Sequence, residues 1–371
     1  MSTFFKRFSS IFLLTALPLA PALAANPIGK LYTMSNAVSG NEVLVYNRLS
    51  DGSLSKAANI PTNGTGSGGG LGNQGALTFS KDGFFLFAVN ADSNSISSFR
   101  IAANGLDLVS TVSSGGTTPV SVTEDRGRLF VLNAGNASKP GNILGYRVNH
   151  DGRLRPMPFT KRLLSSNSAS TGAAQISFSD DGQQLIVTEK ATNLILTYRV
   201  NDYGVPGKAM LNTSSGITPF GFAVGKRNQI FVSNAEGGAA NISTLSSYRL
   251  LPYGKLRDIS PEVATGETAA CWVALTPDGR YAFTTNTASG SVSSFQIELD
   301  GKATVVDGKA GITGSASGPI DMVVSPESRF LYTLNSGNES ISAFEVGLDG
   351  ALTLVTTLEN LPDGANGLIA Q

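Results

Sequence analysis

Apolar residues along this chain gather in short runs that close on a polar residue. Leu86-Phe87-Ala88-Val89-Asn90, Leu129-Phe130-Val131-Leu132-Asn133, Ile230-Phe231-Val232-Ser233-Asn234 and Leu331-Tyr332-Thr333-Leu334-Asn335 repeat one texture. Runs of this length, ended by a turn-forming asparagine, predict buried β-strands. A further strand and turn precede them, as in Ala76-Leu77-Thr78-Phe79-Ser80 with Asp82-Gly83, or Trp272-Val273-Ala274-Leu275-Thr276 with Asp278-Gly279. Sustained 3.6-residue periodicity is hard to find beyond the first two dozen residues, so the class is all-β.

The spacing of these strands is periodic. Aromatic residues at Tyr46, Phe99, Tyr146, Tyr198, Tyr248, Phe295 and Phe344 are each followed six residues later by glycine, at Gly52, Gly105, Gly152, Gly204, Gly254, Gly301 and Gly350. This reads as a strand packing its aromatic between sheets, then a hairpin turn in which glycine accepts a positive φ. Each repeat then holds four strands in about 50 residues, the size of a propeller blade. Seven such units fill residues 25–371 as one seven-bladed β-propeller. The first unit lacks an inner strand, and the tail Gly364-Ala365-Asn366-Gly367-Leu368-Ile369-Ala370 is predicted to supply it and close the ring. The glycine-rich stretch at 64–72 lacks the lysine and helix of a phosphate loop and reads as a flexible linker between blades.

At the N-terminus, Lys6 and Arg7 precede an apolar run at 11–19 and the small-x-small triplet Ala22-Leu23-Ala24. This predicts a signal peptide over 1–24, a mature chain starting at Ala25 and a periplasmic or secreted location, with no membrane anchor. Lys6 and Arg7 leave with the leader, so the mature chain carries 25 basic against 27 acidic side chains. That balance gives no reason to expect nucleic acid as a partner. With one cysteine no internal disulfide can form, and one histidine and one cysteine supply no zinc or copper constellation. Neither metal nor cofactor is expected, and the protein is expected to be a monomer.

The motifs Thr276-Pro277-Asp278-Gly279-Arg280-Tyr281 and Ser340-Ile341-Ser342-Ala343-Phe344 resemble the 6-phosphogluconolactonase and carboxymuconate-cyclase lactonase family. The resemblance covers the mature chain and implies a histidine, two arginines and a glutamate at the channel mouth that handle an anionic, lactone-forming substrate. Aligned by texture, the histidine falls at Ala174 or Gln175 and the first arginine at Phe220. The second arginine falls at Thr287, after Asn286, and the glutamate at Ala235, after Asn234 and before Glu236. Phe220 and Thr287 cannot supply the charge that such chemistry needs.

The candidate site is therefore Gln175, Lys190, Phe220, Asn234, Trp272, Asn286 and Thr287 for ligand contact, with Glu189 and Glu236 as the carboxylates available for chemistry. Glu189-Lys190 replaces the asparagine ending of its strand and reads as charges at the channel rim or as a surface ion pair. Trp272 reads either as a stacking platform or as packing between blades. Cys271 reads as a small buried thiol, and His150, in an outer turn, as a solvated residue. Two functions stay open: a mouth that takes a small neutral or weakly polar molecule, with or without carboxylate chemistry, and an interaction scaffold presenting loops such as 136–142 and 236–243 to a protein partner.

Overall fold

The computed structural model describes Met1 and residues 25–103, 105–166 and 171–371; the expected signal peptide, Met1 aside, lies outside the described residues. Short strands joined by tight turns form seven antiparallel sheets, each ordered from an inner to an outer strand, and together they make a seven-bladed β-propeller. In blade 1 the innermost strand is Asn366–Ala370, laid against Pro27–Met34 with Leu31 opposite Ala370 and Thr33 opposite Leu368. The C-terminal strand thus closes the ring, as the tail sequence predicts. Arg48, buried, pins the seam by donating to the Gln371 carbonyl and pairing with Glu327 of blade 7 at 2.7 Å.

One blade departs from the four-strand plan. In blade 3 the outer strand is broken into Leu154–Pro156 and Arg162–Leu163, both paired with Asn142–Val148. Pro156 and Pro158 have no N–H to continue the ladder, which accounts for the break.

The recurrent aromatics do what their spacing implies. Tyr146, Tyr198, Tyr248, Phe99 and Phe295 are fully buried. The glycine six residues later has a positive φ in all seven units. In every unit but the second, where a Cβ on Gly105 would meet nothing within 4 Å, it also fits the blade to its neighbour. A Cβ on Gly52 of blade 1 would lie 2.5 Å from the Phe330 ring of blade 7, and one on Gly152 of blade 3 would lie 2.4 Å from Phe85 of blade 2. Turn geometry and blade packing therefore both exclude a side chain there.

The asparagines that end the second strands are not simply turn formers. Asn90 donates its amide to Ser95 and Ser97, Asn234 to Thr244 and Ser246, Asn286 to Ser291 and Ser293, and Asn335 to Ser340 and Ser342, all at 2.8–3.1 Å. Each buried amide ties the second strand to hydroxyls of the third, satisfying polar groups that burial would otherwise leave unpaired. In blade 4 the same position is Glu189, which faces Leu194, and no hydroxyl ladder is present there. Among the described residues, no helix is long and apolar enough to cross a membrane.

Candidate functional site

The seven inner strands are edge strands whose outward polar groups line the channel, so each must find a partner. Near their starts most of them step out of register with the second strand: between Pro119 and Ser121, Ala173 and Gln175, Pro219 and Phe222, Ala270 and Val273, and Pro319 and Asp321. These bulges release Val120, Ala174, Phe220, Gly221, Cys271 and Trp272 from the ladders and re-aim them at the channel mouth.

The mouth is occupied by the chain itself. The connection from blade 1 to blade 2, read from sequence as a flexible linker, is a strap packed across the opening. Asn36 holds its first half, accepting from Ser67 N at 2.9 Å and donating to the Gly69 carbonyl at 2.7 Å. Lys190 of blade 4 donates to the Gly72 carbonyl, and the Asn73 amide donates to the Val120 carbonyl of blade 3. The Trp272 indole N–H of blade 6 donates to the Asn73 carbonyl at 2.7 Å. Gln74 N donates to the Ala174 carbonyl at 3.1 Å, while the Gln74 side chain forms a reciprocal pair with the backbone of Val273, at 2.8 and 3.1 Å. Blade 5 leaves room for this amide by having glycine: a Cβ on Gly221 would lie 2.1 Å from Gln74 Oε1.

Five of the residues singled out from sequence come together beneath the strap. Phe220 and Trp272 pack with ring centroids 4.8 Å apart and planes at 49°, and Lys190 Nζ lies 4.4 Å from the Phe220 centroid. Burial in this apolar setting pushes the Lys190 ammonium down to about 8. Burial likewise pushes the Cys271 thiol up to about 11, so it is protonated at neutral pH; Thr287 bonds to it and donates to the Pro319 carbonyl at 2.9 Å.

The other candidates sit elsewhere. Gln175 lines the channel wall, exchanging hydrogen bonds with Phe222 N and O of blade 5 at 2.6 and 2.9 Å. Asn234 and Asn286 are the strand clasps of blades 5 and 6. Glu189 is fully buried and accepts from Ser165 N at 3.0 Å and Thr192 Oγ1 at 2.7 Å; among the described residues it forms no ion pair with Lys190. Glu236 lies in the turn after the second strand of blade 5 and accepts from Ile217 N, just before the inner strand, at 3.0 Å; partial burial raises its carboxyl above the ordinary range. His150 lies at the opposite end of the strands, lining a cavity of about 520 Å³ between blades 2 and 3. Among the described residues, no group of three or more His, Cys, Asp or Glu side chains is placed to hold a metal ion. Asn73 and Gln74 went unrecognised from sequence; the available signal was a pair of amide side chains ending a glycine run just before an inner strand.

Residues 31–158 and 274–361 match the family described as Lactonase, 7-bladed beta-propeller. The chain belongs to this lactonase family. Residues 159–273, between the matched parts, carry Lys190, Phe220, Cys271 and Trp272. Among solved structures, a putative 6-phosphogluconolactonase from Bacteroides fragilis NCTC 9343 shares 18% identity at a TM-score of 0.68, covering 92% of this chain and 98% of that one. The Pseudomonas aeruginosa periplasmic gluconolactonase PpgL shares 19% identity at a TM-score of 0.72, covering 92% of this chain and 99% of that one. At such identities the likeness shows the shared propeller fold. No curated protein sequence matches the chain.

Proposed function

We propose that this lactonase-family propeller is exported and binds a small neutral or weakly polar molecule at the channel mouth, in place of the anionic-lactone chemistry that the family resemblance implies. The observation that carries the reading is the chemistry of the strap contacts. The indole N–H of Trp272, the backbone of Val273, and the carbonyls of Ala174 and Val120 are all matched to neutral amides of Asn73 and Gln74. A ligand that displaces the strap inherits those partners. A lactone or amide ring has the right polarity to accept from Trp272 and Val273 and a flat face for Phe220 and Trp272. Lys190 is a cation in reach, and its burial, which pushes the ammonium down to about 8, supports a neutral ligand. Glu189 and Glu236 act in this reading as anchors of blades 4 and 5. Export is supported by Lys6, Arg7 and the Ala22-Leu23-Ala24 triplet.

Trp272 is the chain's single tryptophan, so its emission reports on the mouth directly. Neutral lactones are expected to shift that emission saturably and to raise the melting temperature, with little turnover. Efficient hydrolysis of 6-phosphogluconolactone or cyclisation of carboxymuconate would overturn the proposal. Turnover of neutral lactones that is lost in Glu189→Gln or Glu236→Gln would replace it with a carboxylate mechanism. The mass of the exported protein is expected to correspond to a start at or near Ala25.

A further inference from the structure

The chain as a whole is balanced, with 27 basic and 27 acidic side chains, but blade 3 is not. From Pro119 to Leu163 it carries Arg126, Arg128, Lys139, Arg147, Arg153, Arg155, Lys161 and Arg162 against Glu124, Asp125 and Asp151. Strand register stacks part of this charge. Arg147 lies directly opposite Arg128 on one side and Arg155 on the other, so three guanidinium groups form a row across one face of the sheet. Like charges directly opposite one another are unfavourable, and packing does not require them here: Arg147 and Arg155 are exposed and have no ionic partner among the described residues.

That face turns toward blade 4. Arg128 lies over the Phe178 ring at 5.3 Å and donates to the Gly182 carbonyl at 3.2 Å. Arg126 donates to the Asp181 carbonyl at 2.9 Å, and Arg162 to the carbonyls of Pro206 and Gly207. These groups are held mainly by backbone carbonyls, which fix a guanidinium without cancelling its charge. The one carboxylate among them, Asp125, is shared by Lys81, Arg126 and Arg128. Between the two blades they wall a cleft of about 670 Å³. Arg199 and Asp202 of blade 4 complete the charged lining, so four guanidinium groups face one carboxylate. A cleft with such an excess of positive charge concentrates anions, and planar guanidinium groups match tetrahedral oxyanions in pairs.

We infer that the cleft between blades 3 and 4, with the row Arg128, Arg147 and Arg155, is a binding site for an oligoanion carrying several phosphate or sulfate groups. Arg126, Arg128 and Arg162 are pre-set by blade 4, and Arg147 and Arg155 extend the site outward along the ligand. The site is separate from the channel mouth and stands whether or not the mouth binds a lactone.

The test uses the mature protein with two probes, inorganic tripolyphosphate and a sulfated oligosaccharide, by calorimetry at low and moderate salt. Saturable binding that weakens steeply with salt is expected for at least one, and the stronger probe identifies the source of the oxyanions. The Arg147→Gln/Arg155→Gln double variant is expected to lose about tenfold or more in affinity while its melting temperature stays the same or rises. Lys302→Gln/Lys309→Gln, on blade 6, is the charge-matched control and is expected to bind normally. Trp272 emission is expected not to respond to either probe, which distinguishes this site from the mouth. Failure to bind both probes, or an equal loss in the blade 6 control, would overturn the inference.

Discussion

Replacing Gly52 by alanine probes how the blades lock together. Gly52 has φ +86°, and an added Cβ would meet Phe330 Cε1 at 2.5 Å and Cδ1 at 2.7 Å. Gly279 has nearly the same backbone, φ +79°, but a Cβ there meets nothing within 4 Å. Gly279→Ala therefore reads the backbone cost alone, about 1–2 kcal/mol. Gly52→Ala adds the displacement of a ring that is 1% exposed and packed against Tyr332 at 6.4 Å between centroids. Forcing atoms into such a core costs a further ~1–3 kcal/mol, so the total is about 2–5 kcal/mol. Urea midpoints at unchanged m-value measure both variants. In a Phe330→Leu background the Gly52→Ala cost is expected to shrink, since residues in contact couple. Equal losses in Gly52→Ala and Gly279→Ala would refute the reasoning, because the turn glycines would then serve backbone geometry only.

Deleting residues 364–371 removes the inner strand of blade 1, buried Leu368 and the carbonyl that holds Arg48; a loss of at least about 4 kcal/mol is expected, and a truncated chain that unfolds at the parent's urea midpoint would disprove the closure. Asp321 is fully buried, and burial raises its carboxyl well above the ordinary range despite hydrogen bonds from the backbone of Met322 and Leu368. The native state then holds a proton that the unfolded chain has lost, so this group's contribution falls as pH rises from about 4. Asp321→Asn is expected to be more stable than the parent at pH 7 and equal to it near pH 4, measured by denaturant midpoints at both. Lys190 has the opposite sign: from about 8 up to the ordinary lysine range the unfolded chain binds the extra proton, and stability rises with pH. Trp272 emission is expected to titrate near pH 8 and to become flat in Lys190→Met; a flat parent titration would remove Lys190 from the mouth.

Much of the fold is legible because it is written locally. The aromatic-to-glycine interval marks third strand and turn in every blade, and the orphaned first unit with its spare apolar tail marks the closure. What escaped is non-local. Gln74 meets Val273 at a separation of 199 residues, and no periodicity of the glycine run encodes that meeting. A run of glycines looks flexible in sequence, yet here its lack of side chains lets it lie close over Asn36 and Gly364. Glu189 stands out in sequence as a charge in an asparagine position, and only the fold shows that its partners, Ser165 and Thr192, come from loops on either side of the strand. Phe220, Trp272 and Lys190 were identified one by one, but their convergence depends on bulges that a strand pattern does not announce.

The seam has a consequence for the order of assembly. Thr33 and Asn366 meet across 333 residues, so joining them from an open chain costs about 5 kcal/mol of closure entropy, which offsets most of what the strand returns. That cost falls once blades 2 to 7 have stacked and carried the tail around to blade 1. During synthesis the strand Pro27–Met34 emerges early and must wait, with a bare edge, for almost the whole protein. The first blade to be made is therefore the last to be finished, and Arg48 ties its late strand to blade 7.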